Sequence, residues 1–173
     1  MNVTFELQPT LQGDLLLLRP LRQDDYDSLY AVASDPLIWE QHPSWDRYKE
    51  EVFQAFFRDA MDSGGALIAI EASTGRIIGS SRFYGYDPEK REIEIGWSFL
   101  SRSCWGGTYN GEMKRLMLQH AFKWVESVLF IIGPKNMRSR RAVEKLGGTL
   151  VETCQVRGQE RVVYRLTPST YRP

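Results

Sequence analysis

The most constraining stretch of the chain is Arg91 to Leu116, where a period-two pattern runs into a glycine turn and then a helical pattern. From Arg91 to Leu100, Ile93, Ile95, Trp97 and Phe99 alternate with Glu92, Glu94, Gly96 and Ser98. That pattern predicts a strand with one buried and one polar face. Trp105-Gly106-Gly107 breaks it, and Tyr109, Met113, Leu116, Met117, His120, Ala121 and Trp124 then recur at three- and four-residue spacing. Val128 to Ile132 comes next as a short apolar strand. Strand, helix and strand in succession make a crossover unit, whose two strands lie parallel in one sheet.

The remaining segments add antiparallel pairs. Leu15 to Leu18 reads as a strand, and Asp24 and Asp25 are expected to cap a helix carrying Tyr26, Leu29, Tyr30 and Ala33, stopped at Asp35-Pro36. A second helix is expected from Asp46 to Met61, ended by Ser63-Gly64-Gly65. Ala66 to Glu71 and Arg76 to Tyr84 flank the turn Ser73-Thr74-Gly75 and predict a hairpin. Ser139 to Leu146 predicts a short helix, and Thr149 to Val156 with Glu160 to Leu166 a closing strand pair. The fold class is mixed α+β: about seven strands and four helices, hairpins in the middle and crossover helices later.

Composition limits the function. The 173 residues are 42% hydrophobic and 25% charged, an ordinary globular balance, and suit one domain over residues 1–173. Lys plus Arg equals Asp plus Glu at 22 each, which argues against nucleic acid as a partner. Cys104 and Cys154 are the only cysteines, so no disulfide framework or cysteine metal cage is expected. Met1 to Thr10 lacks the layout of a signal peptide, and the longest aliphatic run, Leu15 to Leu18, falls far short of the ~20 residues of a membrane span. A cytoplasmic protein with no membrane partner and no metal is the expectation.

Chemistry concentrates in two places. The Gly106-Gly107 turn opens a helix whose unpaired N–H groups and partial positive charge suit a phosphate; it matches neither G-x-x-x-x-G-K-[ST] nor G-x-G-x-x-G. The second place is Asn136-Met137-Arg138-Ser139-Arg140-Arg141-Ala142-Val143-Glu144-Lys145-Leu146-Gly147-Gly148. It resembles the Asn-x-x-Ser-x-x-x-x-Glu-Lys-Leu-Gly segment of the GNAT superfamily of acyl-CoA-dependent N-acetyltransferases. Trp105-Gly106-Gly107-Thr108-Tyr109-Asn110-Gly111-Glu112 is similar to the Trp-Gly-x-Gly-Tyr-Ala-x-Glu of the branch containing the ribosomal-protein N-terminal acetyltransferases. Leu18-Arg19-Pro20 with Asp24-Asp25, Glu94-Ile95-Gly96-Trp97 and Tyr164-Arg165-Leu166 match in the same order. The chain departs from the family at Thr108, where a glycine is usual, and at Ser103, where Gln or Arg is usual.

The resemblance implies a GNAT-like fold, with a mostly antiparallel twisted sheet splayed between the fourth and fifth strands. It also implies acetyl-CoA as cosubstrate and transfer of its acetyl group to a primary amine by direct attack in a ternary complex. The implied cosubstrate contacts are Phe99, Leu100, Gly106, Gly107, Thr108, Tyr109, Asn110, Asn136, Ser139 and Arg141. Glu94 is the candidate base, with Glu92 in reserve, or else an ordinary solvated carboxylate on an alternating strand. Ser139 is a candidate hydroxyl near the CoA sulfur, or a helix cap. Trp39 and His42, in the aperiodic stretch Trp39 to Trp45, are candidates for the acceptor pocket, or else cover the sheet. His120, on the apolar face of its helix, is expected to be a core histidine. The acceptor is an amine of unassigned identity, a homodimer is implied by family analogy, and the alternative function is a catalytically silent acyl-CoA-binding domain.

Overall fold

A computed structural model describes residues 4–173. Of the ten residues read for a leader, Met1, Asn2 and Val3 lie outside the described residues. The elements in chain order are β1 (Leu11–Gln12), β2 (Leu16–Pro20), α1 (Tyr26–Ala33), α2 (Glu50–Ser63), β3 (Ala66–Glu71), β4 (Ile77–Asp87) and β5 (Glu92–Leu100). After these come α3 (Thr108–Ala121), β6 (Ser127–Ile132), α4 (Met137–Lys145), β7 (Thr149–Val156) and β8 (Gln159–Leu166). One sheet holds all eight strands in the order β1-β2-β3-β4-β5-β6-β8-β7. Every neighbour is antiparallel except β5 with β6. The fold is the expected mixed α+β sheet, with one short additional strand, β1.

Hydrophobic side chains gather on both faces. Ile93, Ile95, Met113, Met117, Val128, Val143 and Tyr164 pack the sheet against α3 and α4. Leu29, Ala33, Phe53, Phe56, Phe57, Ile68 and Phe99 fill the space under α1 and α2. Two local expectations are corrected. Asp25 does not cap α1 with its side chain; it accepts from Arg22 N–H at 2.8 Å and pairs with Arg19, tying the end of β2 to the helix entry. The second helix begins at Glu50 rather than Asp46, because the residues before it form turns that carry Trp39 and His42 to the sheet.

A third correction shapes the site. The strict alternation read over Arg91 to Leu100 places Trp97 and Phe99 with Ile93 and Ile95. Between Ser80 and Arg82 of β4, however, the partner on β5 passes from Phe99 to Gly96, so β5 carries one extra residue there. Trp97 takes φ +53°, a conformation uncommon for a bulky residue. The bulge reverses the facing of the residues beyond it: Phe99 joins the core under α1 and α2, while Ser98 turns to α3.

Candidate active site

The site exists because β5 and β6 part. They pair only through Glu92 with Ser127, Ile93 with Val128 and Glu94 with Leu129. Beyond that seam β5 runs on to Leu100 and β6 to Ile132 without touching through hydrogen bonds. The β6-side edge of β5 therefore presents backbone donors and acceptors with no strand partner, which an extended ligand can take up. A cavity of about 280 Å³ fills the opening. Its walls come from β5, β6, the start of α3, α4 and the turn after α1.

Of the residues expected from sequence, Phe99, Leu100, Gly106, Gly107, Asn110, Asn136, Ser139, Trp39 and His42 all line this cavity. Glu94, Thr108, Tyr109 and Arg141 do not. Thr108 and Arg141 are exposed, and Tyr109 donates its hydroxyl to Glu71 at 2.8 Å. Arg138 takes the place expected of Arg141: it lines the cavity with its guanidinium 3.8 Å from the centre of the Trp105 ring. Gly106 and Gly107 have φ +119° and +97°, which only glycine adopts readily, and a Cβ on either meets nothing within 4 Å. That open turn leads into α3, whose first N–H groups have no side-chain cap. Asn136, buried, caps α4 by accepting from Ser139 N–H at 3.3 Å, so the cap role falls to Asn136 rather than to Ser139.

Glu94 stands on the other face of β5 from Ile93 and Ile95. Its Oε1 lies 3.3 Å from the position of a Cβ on Gly96, so the carboxylate folds toward the bulge, beside a residue that itself lines the cavity. Burial pushes its pKa up to about 7, opposed by the nearby Arg82 guanidinium. Arg82 is 2% exposed, pairs with Asp59 at 2.8 Å and stacks 4.3 Å from the centre of the Trp97 ring. Glu92 is engaged elsewhere, accepting from Ser127 at 2.7 Å with Arg165 at 3.4 Å, which removes it as a reserve base.

Trp39 is 1% exposed and donates its indole N–H to Ala33 C=O at 2.8 Å, so it is a core residue with one edge in the cavity wall. His42 packs edge-on against it. Burial, with the positive charges of Arg47 and Arg161, drives the His42 pKa down to about 3 and holds the ring neutral. Its Nδ1 accepts from Ser44 N–H at 2.9 Å. His120 is buried against Phe5 and Phe83, with Nε2 2.8 Å from Glu6 C=O, a core histidine as expected.

A buried lysine in the cavity wall was not anticipated. Lys114 of α3 is 6% exposed, and its ammonium nitrogen hydrogen-bonds Ser98 Oγ and sits 5.9 Å from the centre of the Phe130 ring. Ser98 Oγ in turn is 2.8 Å from Ser81 Oγ. Burial brings the Lys114 pKa down to about 7. Among the described residues, no group of three or more His, Cys, Asp or Glu is placed to hold a metal ion, and no helix is long and apolar enough to cross a membrane.

An open strand edge, a glycine turn at a helix start and an arginine at the mouth suit the pantetheine arm and diphosphate of an acyl-CoA. The family model described as Acetyltransferase (GNAT) domain matches residues 16–149, and the chain belongs to that family. Solved structures share the fold. A GCN5-related N-acetyltransferase from Brucella melitensis superposes with TM-score 0.78 at 21% identity, covering 94% of this chain and 80% of that one. A GNAT-family acetyltransferase from Bacillus anthracis gives TM-score 0.75 at 20% identity over 92% and 98% of the two chains. A probable GNAT-family acetyltransferase from Chromobacterium violaceum gives 0.82 at 17% identity over 94% and 88%. No curated protein sequence matches the chain.

Proposed function

We propose that this chain transfers the acetyl group of acetyl-CoA to a primary amine, by direct attack within a ternary complex. The observation that carries the reading is the cleft where β5 and β6 part, with Glu94, whose pKa burial raises to about 7, as the last residue of β5 paired across the seam. An attacking amine must lose a proton, and a base with a pKa near the working pH both holds the right form and accepts readily. Glu94 takes that proton, directly or through one water. When bound, acetyl-CoA supplies the activated acyl group; Phe99 and Leu100 would hold its pantetheine arm along the β5 edge, and Gly106, Gly107 and Asn110 its diphosphate. Ser139 on α4 stands ready to hydrogen-bond the departing sulfur. No covalent intermediate on the protein is needed, since alignment and a polarised carbonyl supply the acceleration.

The acceptor enters from the side of Glu94, between His42 and the Trp97 bulge. The resemblance to the ribosomal-protein branch favours a protein N-terminus, beside small-molecule amines. Thiol release from acetyl-CoA, screened over short peptides of varied first residue and over small amines, tests the reading. Release above the no-amine rate with at least one acceptor class supports it. Acetyl-CoA binding with no release across the panel would instead make this a silent acyl-CoA-binding domain.

A further inference from the structure

Lys114 differs from every other lysine of the chain. Lys49, Lys90, Lys123, Lys135 and Lys145 are exposed, whereas Lys114 is buried in the cavity wall. Among the described residues no carboxylate lies within ion-pair distance of it. A buried ammonium without a counter-ion is costly, and the group relieves that cost by shedding its proton. Its pKa near 7, caused by burial, means that a large fraction of molecules carry a neutral amine with a free lone pair at neutral pH.

Its location is equally specific. Phe130 directly follows Leu129, the last residue of β6 paired with β5, and Ser98 lies beyond Glu94, the last paired residue of β5. Touching Ser98 and facing Phe130, the amine sits at the apex of the cleft, on the α3 side. Glu94 lies on the opposite face of β5, folded against Gly96. The lysine stem is flexible, and among the described residues Ser98 Oγ is its only hydrogen-bond partner, so the nitrogen can leave that hydroxyl for a group lying in the cleft.

Resting on the reading that this cleft holds acetyl-CoA, we propose that Lys114 is a self-acetylation site, an internal acceptor for the acetyl group when no amine substrate is bound. The lysine nitrogen bonds to the thioester carbonyl carbon, and the carbon–sulfur bond breaks. Sulfur leaves with the bonding pair and takes the proton that the nitrogen loses, giving Nε-acetyl-lysine and free CoA thiol. No oxidant or further co-reactant enters. The product side chain is uncharged and larger by an acetyl group, so it occupies the apex and opposes rebinding of acetyl-CoA. Each chain is thereby modified once, and loses cosubstrate affinity as it is modified.

The test is to incubate the full chain with acetyl-CoA and no acceptor amine, then to follow intact mass and map acetylated peptides. The expected result is one acetyl group per chain on Lys114, with occupancy at least about tenfold above any exposed lysine, because bound thioester presents a far higher effective concentration than solution. Desulfo-CoA, which fills the site without an acyl group, should suppress the Lys114 modification and leave any slow chemical acetylation of exposed lysines unchanged. Lys114→Arg should abolish the single addition; should that variant fail to fold, the desulfo-CoA competition decides with the native chain. Acetylation confined to exposed lysines, in a sample whose calorimetry shows acetyl-CoA binding, overturns the proposal and leaves the acetyltransferase reading standing. Absence of any acetyl-CoA binding heat overturns the reading of the cleft itself.

Discussion

Glu94 and Lys114 lie on opposite sides of β5, the acid folded against Gly96 with its pKa raised to about 7 and the amine bonded to Ser98 with its pKa lowered to about 7. Both shifts come chiefly from burial, in opposite directions because burial disfavours the charged form of each. The strand between them bulges at Trp97, between Glu94 and the Ser98 that Lys114 touches.

The proposed base role requires Glu94 in its carboxylate form, so turnover should rise with pH through about 7 and level above it. Glu94→Gln should remove that limb and lower kcat by roughly 100-fold while sparing acetyl-CoA affinity. Stability moves the other way. A carboxyl whose folded pKa is raised stabilises fully below its unfolded pKa and loses that contribution as pH climbs through the folded value. The variant should therefore melt higher than the native chain at pH 8 and show a smaller difference at pH 5. Steady-state kinetics and thermal melts at the two pH values check both halves.

Arg82 lowers the Glu94 pKa from across the bulge. Arg82→Met should move the acidic limb of the rate profile upward by about half a unit to one unit, since losing a nearby cation favours the neutral acid. Asp59, left without its partner, is largely exposed and tolerates the loss. A limb that stays in place or moves down assigns the titration to another group.

Gly106→Ala forces a side chain onto φ +119° and should cost about 1–3 kcal/mol of stability. Gly64→Ala, at φ +68° with equally open space, should cost a comparable amount far from the cleft. Only the first should weaken CoA binding, by about tenfold or more. Calorimetry on the pair separates backbone strain from loss of a ligand contact.

The turn after α1 divides into two roles. Trp39→Ala removes a fully buried indole and should destabilise by about 3–5 kcal/mol, with acetyl-CoA affinity falling as the fold loosens. His42→Ala should fold nearly normally and raise the acceptor KM several-fold at constant acetyl-CoA affinity. Because His42 stays neutral down to about pH 3, no titration of it should appear in the rate profile between pH 5 and 9.

Much of this site was legible in the residues. The Gly106-Gly107 turn and Asn136 both line the cleft, and the alternation around Ile93 and Ile95 placed Glu94 on the face away from them. What escaped was a matter of one residue and one helix. A bulge leaves no mark in hydrophobic alternation, because Trp97 and Phe99 are apolar on either face; only the register against β4 exposes it. Lys114 escaped because the apolar stripe of α3 was drawn too narrow. Glu112 beside it is also buried, accepting from Leu15 and Leu16 N–H at 2.8 Å. The available signal was Leu118, one turn beyond Lys114 on the same side and fully buried. Arg138 and Arg141 were separable only by helix phase, which a segment of nine residues with four basic side chains does not fix.

The three-pair seam between β5 and β6 also sets a mechanical property of the molecule. Past the seam, from Glu94 to Leu100, β5 runs on for roughly 20 Å at the usual rise per residue, held by β4 along its other edge. A tilt of about 3° at the seam then carries the tip by about 1 Å, the scale on which reaction geometry is lost. Ile93 and Val128, fully buried and paired in the middle of that seam, lie well away from the mouth of the cleft. Leverage of this kind makes the alignment of two substrates answer to packing several residues removed from either.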